Sequence, residues 1–198
     1  MKKNKIEKQA YKIGELNIES GRIDITDPCY DADTWCRING LEVKPGKYDC
    51  YVSVLDGKDA ETHGHRVVKM FIMHQDVDHS KELRAHLIGS VCVDAGLMSI
   101  SEADTKPDYT NDEWDTICEN LDELLDSNPF GYSAVVSDEV TPGENPKPQF
   151  WASSGFGDGE YNVVVADSST SEHLSEIVPD FVCIEFIDDE DLSEEDYD

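Results

Sequence analysis

Residues 14–28 read GELNIESGRIDITDP, and the period of their apolar side chains decides the fold. Leu16 and Ile18, then Ile23 and Ile25, alternate with polar residues on either side of Ser20-Gly21. Period two is the spacing of a half-buried strand, because successive side chains of a strand point to opposite faces. Two such runs joined by Ser-Gly predict a β-hairpin, and Pro28 ends the second run. Outward from this stretch the same period returns. After Pro45-Gly46, KYDCYVSVLD sets Tyr48, Cys50, Val52 and Val54 on one face, and Asp56-Gly57 predicts a closing turn. RVVKMFIMH, from Arg66 to His74, is more continuously apolar and reads as a central strand of a meander.

LIGSVCVDAG, from Leu87 to Gly96, reads as a buried strand ending in a glycine turn, with LMSI continuing it. GYSAVVS, FWASSG, EYNVVVA and FVCIEFI supply further strands, and TPGENPKP is a connection without either period. NDEWDTICENLDELLDS is the clearest helix, with Asn111 or Asp112 at its start. There Trp114, Ile117, Leu121 and Leu124 or Leu125 recur at helical spacing above an acidic face. Many short strands with one good helix predict a mainly β (α+β) fold. Its form is an antiparallel sandwich or open barrel carrying one amphipathic acidic helix. We divide the chain into an N-terminal arm, residues 1–13, a single β-rich domain, 14–187, and a disordered acidic tail, 188–198. The tail, DDEDLSEEDYD, is a like-charge block that repels itself and resists packing.

The chain has 198 residues and a net charge of -28, from 44 acidic against 16 basic side chains. Such a surface repels polyanions, which argues against direct binding of nucleic acid or an anionic membrane and favours a basic protein or a cationic small molecule. No stretch reaches the roughly 20 apolar residues that a membrane span needs. The basic start MKKNKIEKQAYK lacks the apolar core of an export signal, so a cytoplasmic location is expected. Cys29, Cys36, Cys50, Cys92, Cys118 and Cys183 are scattered without a CxxC spacing and are expected to be thiols.

Four short motifs follow in a fixed order. Ser20-Gly21 precedes a strand ending in Asp27-Pro28, Pro45-Gly46 and Tyr48 open the next, Val93, Asp94 and Gly96 form VDxG, and Gly157, Asp158, Gly159 and Tyr161 form GDGxY. In this order the chain, from about Gly14 to Ile187, resembles domain of unknown function 4241 and related uncharacterised bacterial and phage proteins. The resemblance implies a shared β-rich fold, and host cytoplasm as the location if the protein is phage-encoded. It implies no activity.

The candidate chemistry lies in the same motifs. GDGEY is expected as a tight turn, and its glycines would also let successive amides converge on one ligand. Asp27, Asp94 and Asp158 each end an expected strand beside Pro or Gly, where separate loops meet at one rim. If their carboxylates converge they would hold a divalent cation, Mg²⁺ or Ca²⁺, and activate water; otherwise each caps its own turn. Cys29 is a candidate nucleophile for which one of the six histidines would act as base. His63 and His65 in HGH would share one strand face, without a further patterned metal ligand. The expected function is a non-catalytic binding or interaction protein. Its ligand surface would comprise Asp27, Tyr30, Asp94, Gly96, Gly157, Asp158, Gly159 and Tyr161. The alternatives are a metal-assisted or cysteine-dependent hydrolase using Cys29, Asp94 and Asp158, and an acidic decoy that occupies a basic nucleic-acid-binding partner.

Overall fold

The computed structural model describes residues 8–29, 36–78, 80, 83–103, 116, 119–121, 123, 125, 134–138, 147–167, 178–188 and 192. Among them the alternating runs form strands β1 (Lys8–Ile18), β2 (Arg22–Thr26), β3 (Ile38–Glu42), β4 (Gly46–Leu55), β5 (Val67–His74) and β6 (Arg84–Val93). The later strands are β7 (Leu97–Glu102), β8 (Ala134–Ser137), β9 (Gln149–Ser153), β10 (Gly159–Asp167) and β11 (Phe181–Glu185). Every ladder is antiparallel. The strands make two open sheets, β1-β4-β5-β11-β10-β6 and β3-β2-β7-β9-β8.

Alternation lets the two sheets share one core. Leu16, Tyr48, Cys50, Ile72, Val163 and Ile184 of the first sheet and Ile23, Ile25, Met98, Ile100 and Phe150 of the second belong to a single buried cluster. This is the mainly β, antiparallel sandwich that the sequence predicts. β5 lies between β4 and β11, as its continuous apolar run requires. On β9, Phe150 and Ala152 face this core while Trp151 faces outward, under Leu121 and Leu125. The described residues from 116 to 125 are helical, with Glu119 and Glu123 exposed, so the expected acidic helix covers the outer face of the second sheet. Trp114, Ile117 and Leu124 lie outside the described residues.

Three local expectations are corrected. Residues 14–28 are not a hairpin: β1 pairs with β4, whereas β2 pairs with β3 and β7 in the other sheet. Ser20-Gly21 is a corner, held by Ser20 N–H donating to Glu102 Oε1 at 2.6 Å and by Val43 N–H donating to Gly21 O at 2.8 Å. A corner between facing sheets and a hairpin give the same apolar alternation, because in both cases the two runs point at one core. LMSI likewise does not continue the preceding strand: β7 begins after the VDAG turn, in the opposite sheet. Finally, Asp56 caps a short helix, α1 (Gly57–His63), by accepting the Gly57 N–H at 2.8 Å, so His63 closes a helix instead of sharing a strand face with His65.

Strand pairing starts at Lys8, within the segment expected as an arm. Beyond β11, Ile187 is buried and Leu192 packs against the core. β6 is an edge strand whose outer half is exposed, with Leu87 64% accessible. Its register with β10 slips at Val163/Val164, where Gly89 and Leu87 are the partners and Ile88 is the extra residue. A bulge there twists the edge and discourages continued pairing.

Candidate functional site

Asp27 follows directly on β2 and is completely buried. Its Oδ1 accepts the Cys29 N–H at 2.8 Å, an Asx-type turn that Pro28 pre-shapes. Its Oδ2 reaches across the sandwich to accept the N–H groups of Asp94 and Ala95, both at 2.8 Å. One carboxylate therefore anchors its own turn and the β6–β7 turn together. Charge-assisted bonds of this kind are the strong ones, and leaving several buried amides without an acceptor is costly.

The chain of contacts continues into the glycine loop. Gly96 O accepts the Ser154 N–H at 3.0 Å, and Ser154 O in turn accepts the Gly157 N–H at 3.0 Å. The Tyr161 hydroxyl lies within 2.9 Å of Ser154 O and 2.6 Å of Gly157 O, and its ring meets Phe186 edge-on at 5.1 Å. Gly155 has φ +63°, and a Cβ there would come within 2.9 Å of Ile187 and 3.2 Å of Val67 O, so a larger residue strains the turn twice. GDGEY is thus a clasped turn leading into β10. The Gly157 N–H is used within the turn, on Ser154 O.

The sequence motifs DP, VDAG and GDGEY do come together at one rim. Val93 pairs with Gly159, so Asp94 and Asp158 each stand one step beyond the last paired residues. Both are exposed, as are Ala95, Cys29 and Glu160. Asp27 belongs to the rim only through its backbone neighbours, since its carboxylate is turned inward onto amides. Gly96 and Gly157 are half-buried, Gly159 is exposed, and Tyr161 is buried beneath them. Tyr30 lies outside the described residues. Among the described residues no three His, Cys, Asp or Glu side chains stand together as metal ligands would.

The PGxY motif serves a separate lock. The Tyr48 hydroxyl donates to Lys44 O at 2.6 Å, and burial, then the nearby Asp180 charge, push that hydroxyl well above its ordinary range. His74 packs edge-on against Tyr48 at 5.0 Å. Its Nδ1 accepts the Asp76 N–H, so Nε2 carries the proton and donates to Pro45 O at 3.1 Å. A Cβ at Gly46 would come within 2.5 Å of that Nε2. His74 is therefore occupied in holding the turn before β4.

Sequence reasoning missed one surface group. Arg66 donates to His63 O at 2.9 Å and to Gly155 O at 3.1 Å, and its guanidinium lies 4.9 Å from the centre of the Phe156 ring. Phe156 is 48% exposed and meets His63 edge-on. The apolar letter inside SGFGDG was the available signal. No family model matches the chain, and no curated protein or solved structure matches it.

Proposed function

We propose that this protein is a binding protein whose contact surface is the rim formed by the loop after β2, the β6–β7 turn and the β9–β10 turn, and that its ligand is cationic. The observation carrying this reading is the Asp27 carboxylate, which ties two of the loops through three amides and so fixes the rim before any ligand arrives. A rim held rigidly loses little entropy on binding. Around it stand the exposed carboxylates Asp94, Asp158 and Glu160, on a chain of net charge -28. Carboxylates in that setting attract lysine- or arginine-rich segments over the distance of a Debye length.

A tetralysine peptide serves as the probe. A ligand that binds only the folded state raises the melting temperature. The peptide is expected to stabilise the parent protein and to lose that effect with the double variant Asp94→Asn, Asp158→Asn. Equal stabilisation of both proteins would sink the rim as the binding surface. Stabilisation by Mg²⁺ or Ca²⁺ alone, abolished by the same variant, would favour the hydrolase instead.

A further inference from the structure

Cys36 and Cys92 meet at the free edge of β6. That strand pairs with β10 on one side only, and at Cys92 its other side is taken by Cys36, whose carbonyl accepts the Cys92 N–H at 3.0 Å. That one bond holds the two backbones side by side, the proximity a disulfide requires. The side chains are neighbours as well, since Cys36 is among the groups that raise the Cys92 thiol. Val91 and Val93 face the core, while Cys92 points to the outer face of the sheet and is half-buried. Cys36 is 7% exposed, and both are free thiols.

The other described cysteines differ. Cys50 is buried in the sandwich core, while Cys183, between the core residues Val182 and Ile184, is buried on the other face of its sheet, where burial pushes its thiol up to about 12. Cys29 is exposed at the rim, its N–H held by Asp27.

We propose that Cys36 and Cys92 form a redox site in which hydrogen peroxide joins them as a reversible disulfide, clamping the chain that returns from the rim to the edge of β6. The reaction balances in two steps. The sulfur of Cys92, the more accessible of the two, attacks one peroxide oxygen; the O–O bond breaks, leaving a sulfenic acid and one water. The Cys36 sulfur then attacks the sulfenic sulfur, the S–O bond breaks, and a second water leaves with the Cys36 proton. Two thiols lose two electrons and two protons in all, and peroxide accepts them. Burial, then the neighbouring Cys36 and Glu160, hold the Cys92 thiol above its ordinary range, which slows its attack on peroxide. The bridge ties β6 of one sheet to the residues entering β3 of the other, beside the rim but independent of any ligand there.

The test uses the full chain, treated with peroxide, quenched and digested under non-reducing conditions with trypsin and a glutamyl endopeptidase together, because Lys106 and Lys147 precede proline and trypsin alone leaves Cys92, Cys118 and Cys183 on one peptide. Cys29 and Cys36 share one tryptic peptide, Ile23–Arg37, so the map is made on the parent and on Cys29→Ser. The expected result is loss of two thiols and a cross-link between the peptides holding Cys36 and Cys92. It should persist in Cys29→Ser, be absent in Cys36→Ser, and disappear with dithiothreitol. The melting temperature should rise by about 5–10 °C on oxidation and return on reduction. A cross-link that vanishes in Cys29→Ser, a different pairing, or Cys92 carried to sulfinic acid with no cross-link would overturn the proposal. Should Cys36→Ser not fold, the Cys29→Ser map decides alone, since it retains both thiols.

Discussion

Asp27 behaves as a structural carboxylate, with three backbone N–H groups on its two oxygens and no exposure to solvent. Asp27→Ala should therefore cost at least about 3 kcal/mol in urea unfolding, about 1 kcal/mol or more for each stranded amide. Asp94→Asn and Asp158→Asn, both exposed, should stay within about 0.5 kcal/mol. A loss at Asp27 no larger than theirs would contradict the assignment. Glu102 gives a pH prediction. Burial alone would raise its carboxyl, but Lys147 and the Ser20 N–H outweigh burial and hold it below its ordinary 4.5. A lowered folded pKa contributes stability above the unfolded value and loses it as pH falls through the folded one. Lys147→Met should accordingly flatten the acid limb of stability between about pH 5 and 3, read from urea midpoints. At this scale the sequence was half legible. That Asp27 would cap its own turn follows from Asp-Pro; that the same carboxylate would hold residues 94 and 95 depends on which loops the two sheets bring together, and no local pattern encodes that.

At the scale of elements, apolar period was the dependable signal. It placed most of the strands and found the helical segment because those elements bury one face, and it missed β3 and α1 because neither has a buried residue. It also could not separate a hairpin from a corner at Ser20-Gly21, since sheet partners are set by tertiary packing. The helical segment is held by Leu121 and Leu125 against Trp151. Leu125→Ala should cost about 2–5 kcal/mol, whereas Glu123→Ala, on the exposed face, should be near neutral. Thermal or urea unfolding that ranks these two variants the other way would remove the helix from the outer face of the second sheet.

For the whole molecule the governing quantity is a net charge of -28. Self-repulsion at that charge opposes the compact state, and salt screens it. Raising NaCl from about 10 mM to about 500 mM should raise the melting temperature of the free protein while weakening tetralysine binding. Both expected trends follow from composition, but that DP, VDAG and GDGEY lie near one another depends on the register of Val93 with Gly159 and on the Asp27 bonds to residues 94 and 95. Charge alone would let a cation bind anywhere on such a surface, so the location of binding is what matters. The decisive measurement is a titration of ¹⁵N-labelled protein with tetralysine, followed by amide chemical shifts. A preformed rim predicts shifts concentrated at Cys29, Asp94–Gly96 and Gly157–Glu160 and lost in the Asp94→Asn, Asp158→Asn variant. Shifts spread evenly over the acidic surface, or confined to residues 188–198, would contradict it.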